Sequence, residues 1–272
     1  MSPVTTGFSH GNRGIGIRNH QLILPSVVCS THVARRIAEA VDGITFAHQH
    51  GCGIIGEDVA GIDNFFIQLA DHPNVNSVLV IALGCETIQG QELAAKLLMS
   101  NESTRYRIIQ ESGGVEGTVG AGVKAAGELN LAYPAASAEI AQLRIGIDVA
   151  RPVSDLAALE KLLEDAGYEI VTSQSETSSA QSFTHLAQEK AHIIVSFPDE
   201  AQPASGFPLI PVINVAGSGF LHQAIKGDFD IQESNVLADI LPLIAKVAAG
   251  SQTIAERNKS GEIRAPRVVR SV

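Results

Sequence analysis

From residue 21 onward the chain alternates short runs rich in β-branched residues with longer stretches whose apolar residues recur every three or four positions. Strands separated by helices cannot pair as tight hairpins, and each helical return lays the next strand parallel to the last. The rhythm therefore predicts an α/β fold of Rossmann-like character, a mostly parallel sheet with helices on both faces. Strands are expected over 21–28, 43–47, 76–83 and 106–110, with helices over 31–41, 60–70 and 90–99 between them. In the first helix Val33, Ala34, Ile37, Ala38 and Val41 share one face, and Ser30 or Thr31 is placed to cap its first turn. The stretch 115–129 is helical in tone but carries Gly117, Gly120, Gly122 and Gly127. Each costs a helix about 1 kcal/mol against Ala, so close backbone packing or a break is expected there.

A stretch rich in Ala, Ser and Pro at 131–141 reads as a linker between a first α/β domain over 1–130 and a shorter second half over 142–272. The second half repeats the rhythm, with strands over 143–149, 168–172, 192–197 and 209–215. Helices are expected over 153–166, 180–190, 233–249 and 252–259, and an extended tail over the last dozen residues.

With 272 residues, 45% of them hydrophobic, the chain can bury a full core. Its 19 basic and 29 acidic residues give a formal net charge of -10, and no Lys/Arg cluster can follow a phosphate backbone, which argues against nucleic acid as a partner. The longest apolar runs are strand-sized, well short of the roughly 20 residues that cross a bilayer, so no membrane span is expected. Residues 1–8 have neither a basic start nor a hydrophobic stretch, which places the protein in the cytoplasm. An odd count of three cysteines in a chain of this size points to thiols, not to a disulfide framework.

Those thiols carry the chemical reading. Cys29 ends the first expected strand, Cys52 follows the second and Cys85 ends the third. If the strands are parallel, all three emerge at the carboxyl edge of the sheet, where open α/β sheets bind ligands and helix N-termini favour thiolates. Three such sulfurs can hold iron, as a single ion or an iron–sulfur cluster, or another divalent metal, with one position left for substrate. Buried packing is the plain alternative. His48, His50 and Glu86 share that edge, and each can act as general acid or base or as a ligand. Gly113 and Gly114 turn the chain into a helix and can cradle a carboxylate on backbone N–H groups. Arg18 and Asn19 follow a glycine-rich stretch and can clamp a carboxylate, or form a solvated loop. The Gly120–Ala125 segment imitates a dinucleotide fingerprint but lies inside the helical stretch, and Gly217-Ser218-Gly219 reads as a turn.

Several segments together carry a family resemblance: Gly14-Ile-Gly-Ile-Arg18-Asn19, Val28-Cys29-Ser30, His48-Gln-His50-Gly51-Cys52-Gly53, His72-Pro73-Asn74-Val75, Leu83-Gly84-Cys85-Glu86 and Gln110-Glu-Ser-Gly113-Gly114. Over about residues 7 to 130 the chain resembles the altronate and galactarate dehydratase family, which includes the large subunit of sulfolactate sulfo-lyase. Weaker similarity continues at Phe207-Pro-Leu-Ile-Pro211-Val-Ile-Asn214, Asp228-Phe-Asp230-Ile and Thr253-Ile-Ala-Glu256. The resemblance is to a shortened member without the family's small N-terminal β domain, which a separate polypeptide can supply. It implies iron-dependent elimination of water, or of sulfite, from a hydroxy acid by a homodimer. In those terms Cys29, Cys52 and Cys85 hold the metal, and His50 and Glu86 are the catalytic acid and base. Arg18, Asn19, His48, Gly113 and Gly114 bind the substrate. Removing a proton beside a carboxylate needs this combination of metal or dense hydrogen bonding at the developing enediolate with an acid at the departing hydroxyl. A non-catalytic or partner-dependent subunit of a split enzyme is the alternative, and a nucleotide-binding module is a third reading based on fold alone.

Overall fold

The computed structural model describes residues 5–174 and 179–266. In chain order the first elements are β1 (Thr5–Ser9), β2 (Ile15–Gly16), β3 (His20–Pro25), α1 (Thr31–Val41), α2 (Glu57–Ala70), β4 (Val75–Ala82), α3 (Gly90–Leu97), β5 (Thr104–Ile108) and α4 (Gly114–Ala132). There follow β6 (Ala136–Ile140), β7 (Arg144–Val149), α5 (Leu156–Asp165), β8 (Glu169–Gln174), α6 (Ser179–Gln188), β9 (Ile193–Phe197), β10 (Val212–Ala216), α7 (Phe220–Ala224), β11 (Ile231–Gln232), α8 (Val236–Ala248) and α9 (Ile254–Arg257). The described residues divide into two compact units: one of residues 10–14, 19–136 and 263–266, the other of residues 5–9, 15–18 and 137–262.

The unit that holds the cysteines is built on the parallel sheet β3-β4-β5. Strand β4 is buried along its whole length, as a central parallel strand covered on both faces must be. Ile23, Leu79 and Ile81 face α1 and α4, where Ile37, Ala125 and Leu129 close the core. Helices α2 and α3 pack against β4. The glycines of 115–129 do not break the helix: α4 runs unbroken through them. Gly122 gives room to Ile37 of α1, whose Cδ1 would lie 2.4 Å from an added Cβ, whereas nothing lies within 4 Å of one at Gly120.

The other unit has a five-stranded parallel sheet of order β11-β10-β9-β7-β8. Leu159 and Leu163 of α5 and Ile240 and Ile244 of α8 pack with Ile145, Ile147, Val195 and Ile213 of the sheet. Helix α6 packs on β7 and β8, where Gly146 lets Leu186 close in. A third sheet, β2-β1-β6, includes an antiparallel pair near the N-terminus.

The α/β class and the parallel pairing are as the sequence implies, with one main parallel sheet in each unit. Alternation fixes which segments are strands and leaves open which strands pair. The expected strand 43–47 is reduced to one bridge, Ile44 to Leu22. Part of the expected linker, 136–140, is strand β6. Neither Ser30 nor Thr31 caps α1: the Ser30 hydroxyl donates to the Val27 carbonyl at 2.9 Å, and the Thr31 hydroxyl accepts from His48 N–H at 3.2 Å. Residues 267–272 of the expected tail lie outside the described residues, while Ile263 before them is buried. Among the described residues no helix is long and apolar enough to cross a membrane.

Gly122→Ala is expected to lower stability by about 1–3 kcal/mol through overpacking against Ile37. Gly120→Ala, in open space, should raise it by up to about 1 kcal/mol through helix propensity. Urea unfolding of the two variants checks the opposite signs.

A thiol-lined strand edge as the candidate functional site

Strands β3, β4 and β5 run parallel, so the loops that follow them share one edge. Cys29 lies in the single 3-10 turn Val28–Ser30 that links β3 to α1. Cys85 lies in the turn after β4, and Cys52 in the long segment between α1 and α2. Two ties draw that segment in: Val28 N–H donates to the His50 carbonyl at 2.9 Å, and both the N–H and the hydroxyl of Thr87 donate to the Cys52 carbonyl at 3.0 and 2.8 Å. As a result the Cys52 thiol interacts with both the Cys85 and the Cys29 thiols. Burial first, then these neighbours, push it up to about 11.

Glu86 holds the edge together. Its carboxylate is buried and accepts from the Ser26 hydroxyl at 2.8 Å, Leu83 N–H at 3.1 Å and Gly84 N–H at 2.6 Å. Ser26 follows β3, and Leu83 and Gly84 follow β4, so one carboxylate pins two strand ends. The sequence reading makes Glu86 a catalytic acid or base. The structure gives its oxygens three structural partners, which makes it a positioning residue for the Cys85 turn.

His48 is buried among Phe46, Phe66 and His50. Its Nδ1 accepts from His50 N–H at 3.0 Å, so in the neutral ring the hydrogen sits on Nε2. Burial, with a smaller contribution from His50, lowers His48 from 6.5 to about 4. At neutral pH it is therefore an Nε2–H donor and not a base. The Nε2 atoms of both His48 and His50 are buried with no hydrogen-bond partner, the state of groups whose partner is a ligand or ordered water.

Residues 7–133, which contain this edge, match the family model described as D-galactarate dehydratase/Altronate hydrolase, second domain. Over that segment the chain is similar to the altronate/galactarate dehydratase family. It is similar to an altronate dehydratase of Escherichia coli (strain K12), 37% identical over 93 residues, which is 30% of this chain and 19% of that protein. It is also similar to an altronate dehydratase of Bacillus subtilis (strain 168), 29% identical over 156 residues, or 52% of this chain and 31% of that protein. The matches thus span under a third of each relative's length.

The donor chemistry of the edge, three soft sulfurs, suits iron. Among the described residues no three His, Cys, Asp or Glu side chains stand in ligand geometry around one point. Ligation therefore requires rotation of thiols, and Cys29 and Cys85 are exposed enough to turn. Gly113 and Gly114 follow β5 at the same edge, both with positive φ (78° and 80°). Gly114 N–H is spent on the Ile109 carbonyl at 3.1 Å, but α4 opens with no side-chain cap on its first turn.

Arg18 and Asn19 are not part of this edge. All five N–H donors of Arg18 are used: two on the Glu256 carboxylate at 2.7 and 3.0 Å, the others on the carbonyls of Ile17, Val247 and Ser251. Glu256 closes the capping box of α9 as well, so this bidentate pair is structural. Asn19 pairs with His10 at 2.8 Å and precedes β3, a strand length of about 20 Å from the loops that follow it. The two residues sit before a strand that the cysteines follow. The sequence reading missed the ties from Thr87 and Ser26, which no local pattern announces because their partners are 35 and 60 residues away.

Two outcomes follow from this geometry. Glu86→Ala strands the buried Ser26 hydroxyl and two half-buried N–H donors and should cost about 2 kcal/mol, measured by urea unfolding. Between pH 6.5 and about 4 the unfolded chain binds a proton at His48 that the folded chain refuses, so stability falls as pH drops. The loss between pH 7 and 4.5 should be about 2 kcal/mol, and His48→Gln should flatten it.

Proposed function

We propose that the chain provides the thiol-lined site of a hydro-lyase that eliminates water from a sugar acid or a related hydroxy acid. The observation that carries the reading is the meeting of Cys29, Cys52 and Cys85 at one strand edge inside the family-matched segment. In this reading the three thiolates hold iron, as a single ion or an iron–sulfur cluster. When bound, the metal supplies Lewis-acid stabilisation of charge that develops on substrate oxygen.

The remaining work falls to the chain. His50 Nε2, buried and without a protein partner, takes the proton beside the carboxylate or returns one to the leaving hydroxyl. His48 Nε2–H, fixed in its tautomer by His50 N–H, donates to a substrate hydroxyl. The uncapped opening turn of α4 after Gly113 and Gly114 takes the substrate carboxylate on backbone N–H groups. Glu86 keeps the Cys85 turn in register with the end of β3, so the thiols need not be gathered anew for each turnover.

The test is anaerobic purification with iron and acid-labile sulfide analysis, paired with assays of aldonates and aldarates for 2-keto-3-deoxy acid formation. Iron is expected in the parent, and Cys52→Ala should lose it together with at least about 100-fold in activity. A sulfide content matching the iron identifies a cluster, and iron without sulfide a single ion. Full metal content and full activity in Cys52→Ala would falsify the assignment.

A further inference from the structure

The unit of residues 137–262 has its own strand edge with a charged group left unsatisfied. In the order β11-β10-β9-β7-β8 the chain leaves β7 for β8 on one side and then returns to β9 on the other, so the topological switch lies between β7 and β9. Ligands of open parallel sheets bind outside the carboxyl ends of the strands at that point. Arg151 comes two residues after β7, and Glu200 three residues after β9.

The Arg151 side chain is 6% exposed. Its Nη1 donates to Glu233 at 2.7 Å and to the Pro152 carbonyl at 3.3 Å, and the guanidinium lies over the Phe197 ring. Its Nε and Nη2 are buried and have no partner. Those two nitrogens form one edge of the guanidinium, the fork that grips a carboxylate with two parallel hydrogen bonds. A buried unpaired donor is costly, and a whole unpaired fork on a cation more so. Arg18 of the same unit, by contrast, spends all five of its N–H donors.

The surroundings of the fork are built for close approach. A Cβ on Gly217 would sit 3.1 Å from Arg151 Cζ, 3.2 Å from Nε and 2.6 Å from a Glu200 carboxylate oxygen. The exposed Glu200 also accepts from Gly219 N–H at 3.1 Å. His222 fixes the two loops: its Nδ1 accepts from Gly217 N–H at 2.9 Å, and its Nε2–H points at the Asp199 and Gln202 carbonyls at 3.1 and 3.0 Å. A cleft of about 350 Å³ adjoins these residues through Gly217 and Glu233, and Ser154, Asp155, Ser218, Gln223 and Ser234 also line it. Hydroxyl, amide and carboxylate groups of this kind match the hydroxyls of a small ligand.

We infer that this switch point binds the carboxylate of a small hydroxylated acid on the Nε–Nη2 fork of Arg151, with Glu200 as the internal carboxylate that the ligand displaces from Gly219 N–H. The charge balance favours a carboxylate over a phosphate. The single guanidinium already faces Glu233, and Asp155 lines the same cleft, so a group of about −1.5 to −2 charge would go largely uncompensated. Glu200 swings outward into solvent, and the ligand's hydroxyls face the cleft.

Titration calorimetry of the full chain with D-gluconate, acetate and inorganic phosphate tests this. Gluconate should bind saturably, acetate more weakly, and phosphate weakest. Arg151→Lys, which keeps the charge without the fork, and Gly217→Ala, which places a methyl against it, should each weaken gluconate binding by about tenfold or more. Glu200→Gln, at an exposed position, should strengthen it several-fold. Thermal melting checks that each variant is folded. Phosphate binding tighter than gluconate overturns the carboxylate assignment. Absence of saturable gluconate binding in both the parent and Glu200→Gln, or binding kept in full in folded Gly217→Ala, overturns the site.

Discussion

Two parallel strands cannot be joined by a tight turn, so each connection crosses over and brings the chain back to the same end of the sheet. In β3, β4 and β5 this places every loop that follows a strand at one edge. The cysteines lie 23 and 33 positions apart in the chain, a spacing with no local metal motif in it; this geometry brings Cys29 and Cys85 to one edge, and the ties from Val28 and Thr87 draw in Cys52. The same constraint excludes Asn19, which precedes β3 and so stands at the other end of the strand.

Parallel pairing brings the loops to one edge but does not fix their conformations. That falls to a few polar side chains that bind backbone and hydroxyl groups of neighbouring loops. Glu86 holds the ends of β3 and β4 with three accepted bonds, Thr87 holds the Cys52 segment with two donated ones, and Thr31 secures the backbone of His48. Such groups are stabilising only when fully satisfied, and here they define one loop arrangement. Arg18 and Glu256 do the same for the start of α9 in the other unit. Arg151 departs from this pattern because one edge of its guanidinium has no partner within the protein.

Much of the fold can be read in the residues themselves. Helix α1 spans the same residues that its apolar face predicts, and α2, α3, β4 and β7 differ from expectation by a few residues at their ends. What cannot be read has specific causes. Strand β1 and the short β2 lack a buried run long enough to register, β6 hides in a composition that reads as linker, and residues 43–47 make only one bridge because neighbouring segments, not propensity, decide pairing. In the candidate site, the placing of Cys29 and Cys85 at one edge follows from strand order, whereas Cys52, His48 and His50 lie in a segment without a strand that hydrogen bonds from Val28, Thr87 and Thr31 draw in. The structural roles of Glu86 and Arg18 do not, since a carboxylate or guanidinium looks the same in sequence whether its partner is a ligand or a backbone group.

The sequence by itself determined the α/β class, the strands that precede Cys29 and Cys85 and, through its ordered motifs, the similarity of residues 7–133 to the dehydratase family. These depend on periodicity and local residue identity, which are properties of the chain. Only the tertiary structure decided that the strands form two parallel sheets, that Glu86 and Arg18 are satisfied internally, and that Arg151 is not. Pairing and hydrogen-bond satisfaction depend on which distant groups come within about 3 Å of each other, and that is settled when the layers pack.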